Sequence, residues 1–298
     1  MVATSRARIG ERAPARLSGL GRVAVVLVTT TVIAVAVAFL LIPIVALITY
    51  QPLHSLIRGF GTQVAKDAIE VSLKTNAIAF ILMVVFGTPL AYVLGRSHFR
   101  GRSVVLTLVE LPLVMPPAVA GLALLVAFGP LGLFGGTLSA IGIATPVFRQ
   151  AAVVMAILFV ASPFYLRGAV AAFEAIDDTL LDVAGTLGAG SLRRLVQVAI
   201  PLSAGGLGAA AAVAFARGIG EFGATILFAG SFQGSTETLP LAVYGEFDGN
   251  LDQAIAIGVL LIAVSSAILL ASKLLTRLWT PSPSTSSFRA GRSIYALR

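Results

Sequence analysis

Long runs of apolar residues recur along most of the 298-residue chain, separated by shorter polar connections. A helix needs about 20 mostly apolar residues to cross the hydrocarbon core of a bilayer. The first run is far longer than the roughly 7–15 apolar residues of a secretory signal, so we expect it to remain as a span. Six runs are long enough, and each predicts a membrane-spanning helix: about residues 23–50, 72–94, 104–128, 151–173, 202–228 and 251–278.

Composition supports an all-α integral membrane protein. The chain is 57% hydrophobic and 11% charged, whereas a soluble domain is about half apolar and a quarter charged. It contains no cysteine, which excludes disulfides, zinc–thiolate sites and iron–sulfur clusters. The two histidines, His54 and His98, fall in polar connections. We therefore expect no metal site and no cofactor bound by this chain.

The basic residues predict how the helices are oriented. Lys and Arg are retained on the cytoplasmic side of a membrane protein. With the N-terminus inside, 16 of the 21 basic residues lie in cytoplasmic segments or the adjoining span ends, four lie outside, and Arg217 lies within a span. This predicts N-in, C-in topology in the inner membrane. The net charge of +8 is then an orientation signal, and a nucleic-acid partner is not expected.

The same pattern divides the chain into a membrane domain and two tails. We predict a basic cytoplasmic N-terminal tail at residues 1–22, a transmembrane domain at 23–280 and a cytoplasmic C-terminal tail at 281–298. Both tails are polar and are expected to be largely disordered.

A long patterned loop at about residues 174–201 lies on the predicted cytoplasmic face. Asp177 and Asp178 suit a helix N-terminus, Gly188 and Gly190 suit its end, and a second short helix follows at Arg193. An amphipathic helix of this kind either lies at the lipid interface or docks into a partner. Its predicted apolar stripe, at helical spacing, consists of Ile176, Leu180, Ala184 and Leu187.

This loop resembles the EAA loop of prokaryotic ATP-binding-cassette (ABC) importer permeases. Residues 182–189 read D-V-A-G-T-L-G-A, and Ile200-Pro201 supplies the hydrophobic–proline pair of that motif. Asp182 stands where the motif has Glu, Val183 replaces its first Ala, and Ile200 replaces its usual Leu. The resemblance implies a type I ABC importer permease fold, in which the loop forms a coupling helix that inserts into a cleft of a separate ATPase subunit.

Further segments are similar to molybdate permeases. They are 110–121 (E-L-P-L-V-M-P-P-A-V-A-G), 216–225 (A-R-G-I-G-E-F-G-A-T) and 238–244 (T-L-P-L-A-V-Y). Sulfate/thiosulfate permeases share a related R-x-x-G-E-F-G-A signature, but the combination favours molybdate. Tungstate-specific relatives would look much the same. The resemblance implies a molybdate importer that works with an extracytoplasmic molybdate-binding protein.

Charged residues and prolines inside the predicted spans point to the translocation pathway. Arg217 and Glu221 are four residues apart, so on one helix they can pair. Three roles are open for the pair: it locks helices together, it lines the pathway for an oxyanion, or it breaks as a gate. Pro116 and Pro117, with Pro112 before them, predict a kinked span that lines the pathway or packs around the kink.

Glu110 is expected near the cytoplasmic end of the third span, where water or headgroups reach it. A role in the pathway is the alternative.

Energy must come from another subunit. Importing a divalent anion against an inside-negative potential costs about 2.3 kcal/mol per charge per 100 mV, yet the chain has no G-x-x-x-x-G-K-[ST] loop. We therefore expect a transport subunit rather than an enzyme, with ATP and Mg on a partner. Six spans from one chain are few to enclose a translocation path, so a permease homodimer is expected. A secondary anion transporter is the remote alternative, and a membrane enzyme is not favoured.

Overall fold

The computed structural model describes residues 19–97 and 99–279. Residues 1–18 of the predicted N-terminal tail, and the whole predicted C-terminal tail, lie outside the described residues. The described residues form thirteen α-helices and one π-helical turn at Leu195–Ala199. The α-helices are α1 Gly19–Thr49, α2 Leu53–Phe60, α3 Gln63–Arg96, α4 Arg102–Val114, α5 Pro117–Phe128, α6 Gly135–Ala140, α7 Gln150–Glu174, α8 Asp178–Thr186, α9 Ser191–Arg194, α10 Ile200–Ile219, α11 Gly223–Ala229, α12 Leu239–Phe247 and α13 Leu251–Trp279.

The predicted apolar runs reappear as long helices. Within the described residues, α1, α3, α7, α13 and the continuous run Ser191–Ile219 are each long and apolar enough to cross a membrane. The pair α4 and α5 gives a sixth span if it is counted as one. The all-α membrane architecture is confirmed, while the number of spans and their orientation stay predictions.

The third predicted span is broken in the middle. The axes of α4 and α5 turn through 114° at Met115 and Pro116. Both residues have extended backbone angles, and α5 begins at Pro117, a position where proline is tolerated because the amide there has no helical partner. The expected kink is present, and it is sharper than that of a bent helix.

The fifth predicted span, 202–228, is wrong as a single helix. The helix α10 ends at Ile219 with Gly220 as its C-cap, and the next helix, α11, starts only at Gly223. The segment G-I-G-E-F-G carries three glycines in six residues, which weakens a helix that apolar character alone predicts to continue.

The chain divides into residues 1–50, which contain α1, and residues 51–298. In the second unit, α7 is the central helix and packs against α3, α10, α11 and α4. Its buried side chains include Tyr165 and Phe173, which are almost completely covered. The core of this unit is therefore organised around one helix.

Small residues let the neighbours of α7 approach closely. A Cβ on Gly168 would lie 2.6 Å from the Cβ of Ala210, and one on Gly206 would lie 2.6 Å from that of Ala172. These two contacts run in opposite directions along the chain, so α7 and α10 are antiparallel. Such small-residue contacts are typical of helix packing in membranes.

Buried hydrogen bonds join further pairs of segments. The hydroxyls of Thr88 and Tyr165 lie 2.6 Å apart between α3 and α7. The Leu239 amide at the start of α12 donates to the Ser72 hydroxyl of α3 at 2.8 Å. The side-chain amide of Gln253 on α13 donates to the Gly59 carbonyl at 3.0 Å. Each bond satisfies a polar group that would otherwise be costly to bury.

The contact between α5 and α11 generates a stability prediction. A Cβ on Gly121 would lie 2.6 Å from the backbone carbonyl oxygen of Ala224, and the backbone cannot move aside as a side chain can. We expect Gly121→Ala to lower the melting temperature of the detergent-solubilised protein, because overpacking costs about 1–3 kcal/mol. The control is Gly136→Ala, since Gly136 is also helical and has open space at its Cβ. Equal melting temperatures would contradict the close contact.

Candidate functional site

The helix α8 on the long loop has a well-defined beginning. Asp177 is its N-cap, and its carboxylate accepts a 2.9 Å hydrogen bond from the Thr179 amide. This bond holds the pKa of the Asp177 carboxyl below its usual value. The sign follows from the lowered value: the charged cap is present above the normal Asp pKa and is lost only as the pH falls through the lowered pKa. The cap is therefore intact at neutral pH.

The apolar face of α8 differs from the predicted stripe. Ile176 precedes the helix and is buried in the core, and Ala184 is only half-buried. Leu181 faces the core. The exposed apolar side chains are Leu180, Val183 and Leu187. Leu180 and Leu187 of the predicted stripe are exposed, whereas Ile176 lies before the helix and packs into the core, so it is not part of the exposed face.

The end of α8 depends on Gly188. Its φ of +83° lies in the left-handed region, which costs other L-residues about 1–2 kcal/mol. The Gly188 amide bonds to the Gly185 carbonyl at 3.0 Å, and the Ala189 amide reaches back to the Ala184 carbonyl at 3.0 Å. The expected glycine stop is therefore present at Gly188. Leu187, 81% exposed, projects just before it.

The chain then enters the next predicted span as one continuous helical run. The helix α9 leads through the π-helical turn into α10, where Pro201 occupies the first turn. Proline removes a backbone donor and crowds the carbonyl four residues earlier, and the wide turn lies where that crowding falls. Asp182, which replaces the motif's Glu, is exposed on α8.

Arg96, at the end of α3, fixes the start of α8. Its guanidinium donates to the Ile176 carbonyl at 3.0 Å and also pairs with Asp178. The arginine is mostly buried, whereas Asp178 is exposed. One side chain thus joins α3, the end of α7 and the first turn of α8.

Arg102, at the start of α4, makes a second contact of the same kind. Its Nε donates to the Leu94 carbonyl at 2.6 Å, and its guanidinium pairs with Glu174. We call Arg96 and Arg102, with these partners, the arginine clamp. Sequence reasoning used both arginines only as orientation signals and missed it. The available signal was an arginine at a helix end and acids flanking the next helix boundary.

The two interrupted spans meet at their breaks. A Cβ on Gly223, at the start of α11, would lie 2.7 Å from the Cβ of Pro117, at the start of α5. Pro116 and Pro117 are themselves exposed. The structure therefore brings the predicted proline kink against the segment that follows Glu221.

Arg217 and Glu221 form an ion pair, with 2.7 Å between Nη2 and Oε2. The pairing does not arise from one continuous helix, because α10 ends between the two residues. The Glu221 side chain is 1% exposed, and its other oxygen accepts a 2.8 Å hydrogen bond from the Ala224 amide in α11. Glu221 thus connects α10 with α11, and Arg217 is 29% exposed.

A second charged pair lies between α4 and α7. The Nε of Arg167 and an oxygen of Glu110 are 3.9 Å apart, and the side chains are 73% and 43% exposed. Arg167 lines a cavity of about 720 Å³ whose other wall is α10. Sequence reasoning placed both residues near the cytoplasmic ends of their spans and did not pair them.

No group of three His, Cys, Asp or Glu side chains in the described part of the chain is arranged to hold a metal ion. The absence of a cofactor stays an expectation.

The matching family model is that of the binding-protein-dependent transport system inner membrane component, and it covers residues 87–281. This is more than half of the chain. The chain belongs to this family. The permease is thus a multi-pass inner-membrane transport subunit of the ABC importer type, not an enzyme, and in such importers the ATPase is a separate subunit.

Two similar proteins have curated names. The molybdenum transport system permease protein ModB of Mycobacterium tuberculosis is 42% identical over 209 residues, which cover 70% of the permease and 79% of that protein. The ModB protein of Escherichia coli is 35% identical over 228 residues, which cover 76% of the permease and 96% of that protein.

A solved structure shows the same fold. It is a bacterial alginate ABC transporter in complex with an alginate pentasaccharide-bound periplasmic protein. The match has a TM-score of 0.69 at 17% identity and covers 85% of the permease and 94% of that chain. At this identity it supports the fold alone, which is that of type I ABC importer permeases.

The arginine clamp generates a prediction about α8. We expect Arg96→Ala to raise amide hydrogen exchange in α8 about tenfold, because a hydrogen bond to a charged group contributes about 1.5–3 kcal/mol. Most of the loss comes from the Ile176 carbonyl, since pairing with an exposed acid is weak. Arg100→Ala is the control: it removes the same charge from an exposed position in the same connection. Equal exchange in the two variants would show that the clamp does not hold α8.

Proposed function

We propose that this chain is the permease subunit of an ATP-driven importer for molybdate. The observation that carries the proposal is the similarity to two curated ModB proteins over at least 70% of the chain. Two of the segments that resemble molybdate permeases, 110–121 and 216–225, surround the two helix breaks, which lie in contact. Sulfate/thiosulfate or tungstate is the alternative substrate.

The exposed end of α8 is the proposed docking element for the ATPase subunit. Leu180, Val183 and Leu187 form a small exposed apolar face, and Leu187 is 81% exposed. An apolar helix face of this kind suits binding in a groove. The arginine clamp supports the role, because an element that passes on motion must be held firmly by the helices it moves.

The translocation path is proposed to form between two copies of the permease. Charged side chains in a span are costly unless they face a partner or a water-filled cavity, and the exposed pair of Arg167 and Glu110 has no such cover within the described chain. A second copy, related by two-fold symmetry, would close the path around this face.

Arg217 and Glu221 are proposed to lock the broken fifth span rather than to bind substrate. The short ion pair, the buried carboxylate and its bond to the Ala224 amide support this role. Separating the pair would leave the buried Glu221 carboxylate without its counter-charge, which is costly, so a gate that opened it in each cycle would need a compensating contact.

The remaining partners follow from the proposed reaction. An extracytoplasmic molybdate-binding protein would deliver the anion. ATP with Mg would be hydrolysed on the partner subunit, which supplies the energy that this chain has no phosphate loop to provide.

Competition for uptake tests the substrate. In cells that carry the intact system, we expect labelled molybdate uptake to be unaffected by an equal concentration of sulfate, because the two oxyanions differ in size. Tungstate, nearly the same size, is expected to compete. Strong inhibition by sulfate at equal concentration would overturn the molybdate assignment in favour of a sulfate permease.

A change at Gly188 tests the docking role. We expect Gly188→Asp to abolish uptake, because it places a charge beside the exposed Leu187, while the protein still reaches the membrane. Gly188→Asn is the matched control, since Asn has nearly the same shape, tolerates the left-handed conformation equally well and carries no charge. The ATPase subunit that co-purifies with each variant reports docking directly. Normal uptake by Gly188→Asp would refute the docking role.

A further inference from the structure

The position of Arg167 along α7 places it inside the hydrocarbon core when α7 is centred in a bilayer. It is seven residues from the end of α7 at Glu174, which is about 10 Å along the axis. The 25-residue helix is about 37 Å long, about 7 Å more than the hydrocarbon core. If α7 is centred in the membrane, the Cα of Arg167 is about 7 Å inside the core boundary.

Arg167 also lies on an open strip of a largely buried helix. The central helix α7 is surrounded by other helices, but Arg167 and Ala171 near its end are exposed. The facing helix α10 presents a matching open strip of Gly206, Ala209 and Val213. These two strips line the cavity of about 720 Å³. Small side chains leave the space there, and Arg167 supplies its positive charge.

The same strip of α10 leads to Arg217. Eleven residues separate Gly206 from Arg217, which is close to three full helical turns, so both lie on one face. Gly168 packs against Ala210, which places Arg167 near the level of residue 211. Arg217 is therefore about 9 Å farther along the groove.

The two arginines differ in how firmly they are held. Arg217 is 2.7 Å from a carboxylate that is itself buried and hydrogen-bonded. Arg167 is 3.9 Å from Glu110, beyond hydrogen-bond distance, and its side chain is largely accessible, whereas that of Glu110 is half-buried. The first arrangement is a close ion pair with a buried carboxylate. The second leaves a guanidinium with donors available to another anion.

We propose that Arg167 binds the oxyanion in the inner part of the translocation groove, with Glu110 as the counter-ion that the anion displaces. The planar guanidinium can donate two hydrogen bonds to one tetrahedral oxyanion. When no anion is present, Glu110 balances the charge and lowers the cost of keeping it at membrane depth. When an anion enters, repulsion from Glu110 keeps it from being held too tightly to leave. The inference rests on the proposed function, since it names the residue that contacts the imported oxyanion.

The test uses the whole importer, with its ATPase and binding protein, reconstituted into lipid vesicles. We expect Arg167→Gln to lower the maximal rate of labelled molybdate uptake at least tenfold. The molybdate concentration for half-maximal uptake is expected to stay unchanged, because capture occurs on the external binding protein. Arg167→Lys keeps the charge but loses the planar guanidinium that donates two hydrogen bonds at once, so we expect about a threefold lower maximal rate. Arg100→Gln is the control for removing a positive charge elsewhere and should match the wild type.

Glu110→Gln separates anion binding from a structural ion pair. Removing the counter-ion leaves Arg167 charged and the bound anion harder to release. We therefore expect Glu110→Gln to lower the maximal uptake rate while molybdate raises its melting temperature more than it raises that of the wild type, whereas Arg167→Gln is expected to lose both uptake and the molybdate-dependent rise. A merely structural pair predicts that Arg167→Gln and Glu110→Gln lower uptake and melting temperature equally. That outcome would overturn the inference, as would wild-type uptake by Arg167→Gln.

A binding measurement keeps the inference testable if Arg167→Gln does not assemble. We expect millimolar molybdate to raise the melting temperature of the purified Glu110→Gln permease beyond the effect of sodium chloride at equal ionic strength. No such rise would overturn the inference. If the wild-type importer carries sulfate or tungstate instead of molybdate, the proposed substrate is wrong. The same variants are then measured with that oxyanion, and the asymmetry between them is still expected.

Discussion

The close approach of α7 to its neighbours is the constraint on which the rest of the second unit depends. In lipid there is no hydrophobic gain from bringing two apolar helices together, so contact must come from packing and from hydrogen bonds. Gly168 and Gly206 provide that contact by letting α7 and α10 approach to the point where a Cβ would collide. The cavity beside Arg167 lies along the same contact. Bulkier residues in place of Gly168 and Gly206 would push α7 and α10 apart and would also occupy part of the cavity.

Interrupted helices within the predicted spans are acceptable here because the two breaks lie in contact and the backbone at the start of each following helix makes few unmet demands. Backbone groups freed in the membrane must be satisfied by protein or by water. The Glu221 carboxylate takes up the Ala224 amide at the start of α11, and Pro117 starts α5 without an amide to satisfy. The contact between Pro117 and Gly223 then brings the two breaks together. A polar signature in the fifth span and a proline signature in the third are thus two sides of one structural feature.

Much of the fold could be predicted because its largest features have local causes. Apolar length gives the long helices, proline at 116 and 117 gives the kink, and a glycine at 188 gives the helix stop. The two predictions that differ from the structure, the continuous fifth span and the apolar stripe of α8, have a different origin. Glycines weaken α10 beyond Ile219, but the start of α11 at Gly223 depends on its contact with Pro117 in α5. Ile176 leaves the predicted stripe because it packs into the core with Leu181. Both outcomes depend on tertiary contacts that residue spacing does not encode.

The candidate site shows the same division. The charge pair of Arg217 and Glu221 could be anticipated from two charges four residues apart in an apolar run. The pair of Arg167 and Glu110 could not, since 57 positions separate the residues and only the packing of α4 on α7 brings them together. The arginine clamp has a mechanical consequence. Arg96 ties α3 to the Ile176 carbonyl and to the first turn of α8, and Arg102 ties the end of α3 to Glu174 at the end of α7. A force applied to α8 therefore acts on the end of α7 as on a lever. For a rod of about 37 Å, a tilt of about 5° at the clamped end moves the far end by about 3 Å, which is comparable to the radius of a small oxyanion.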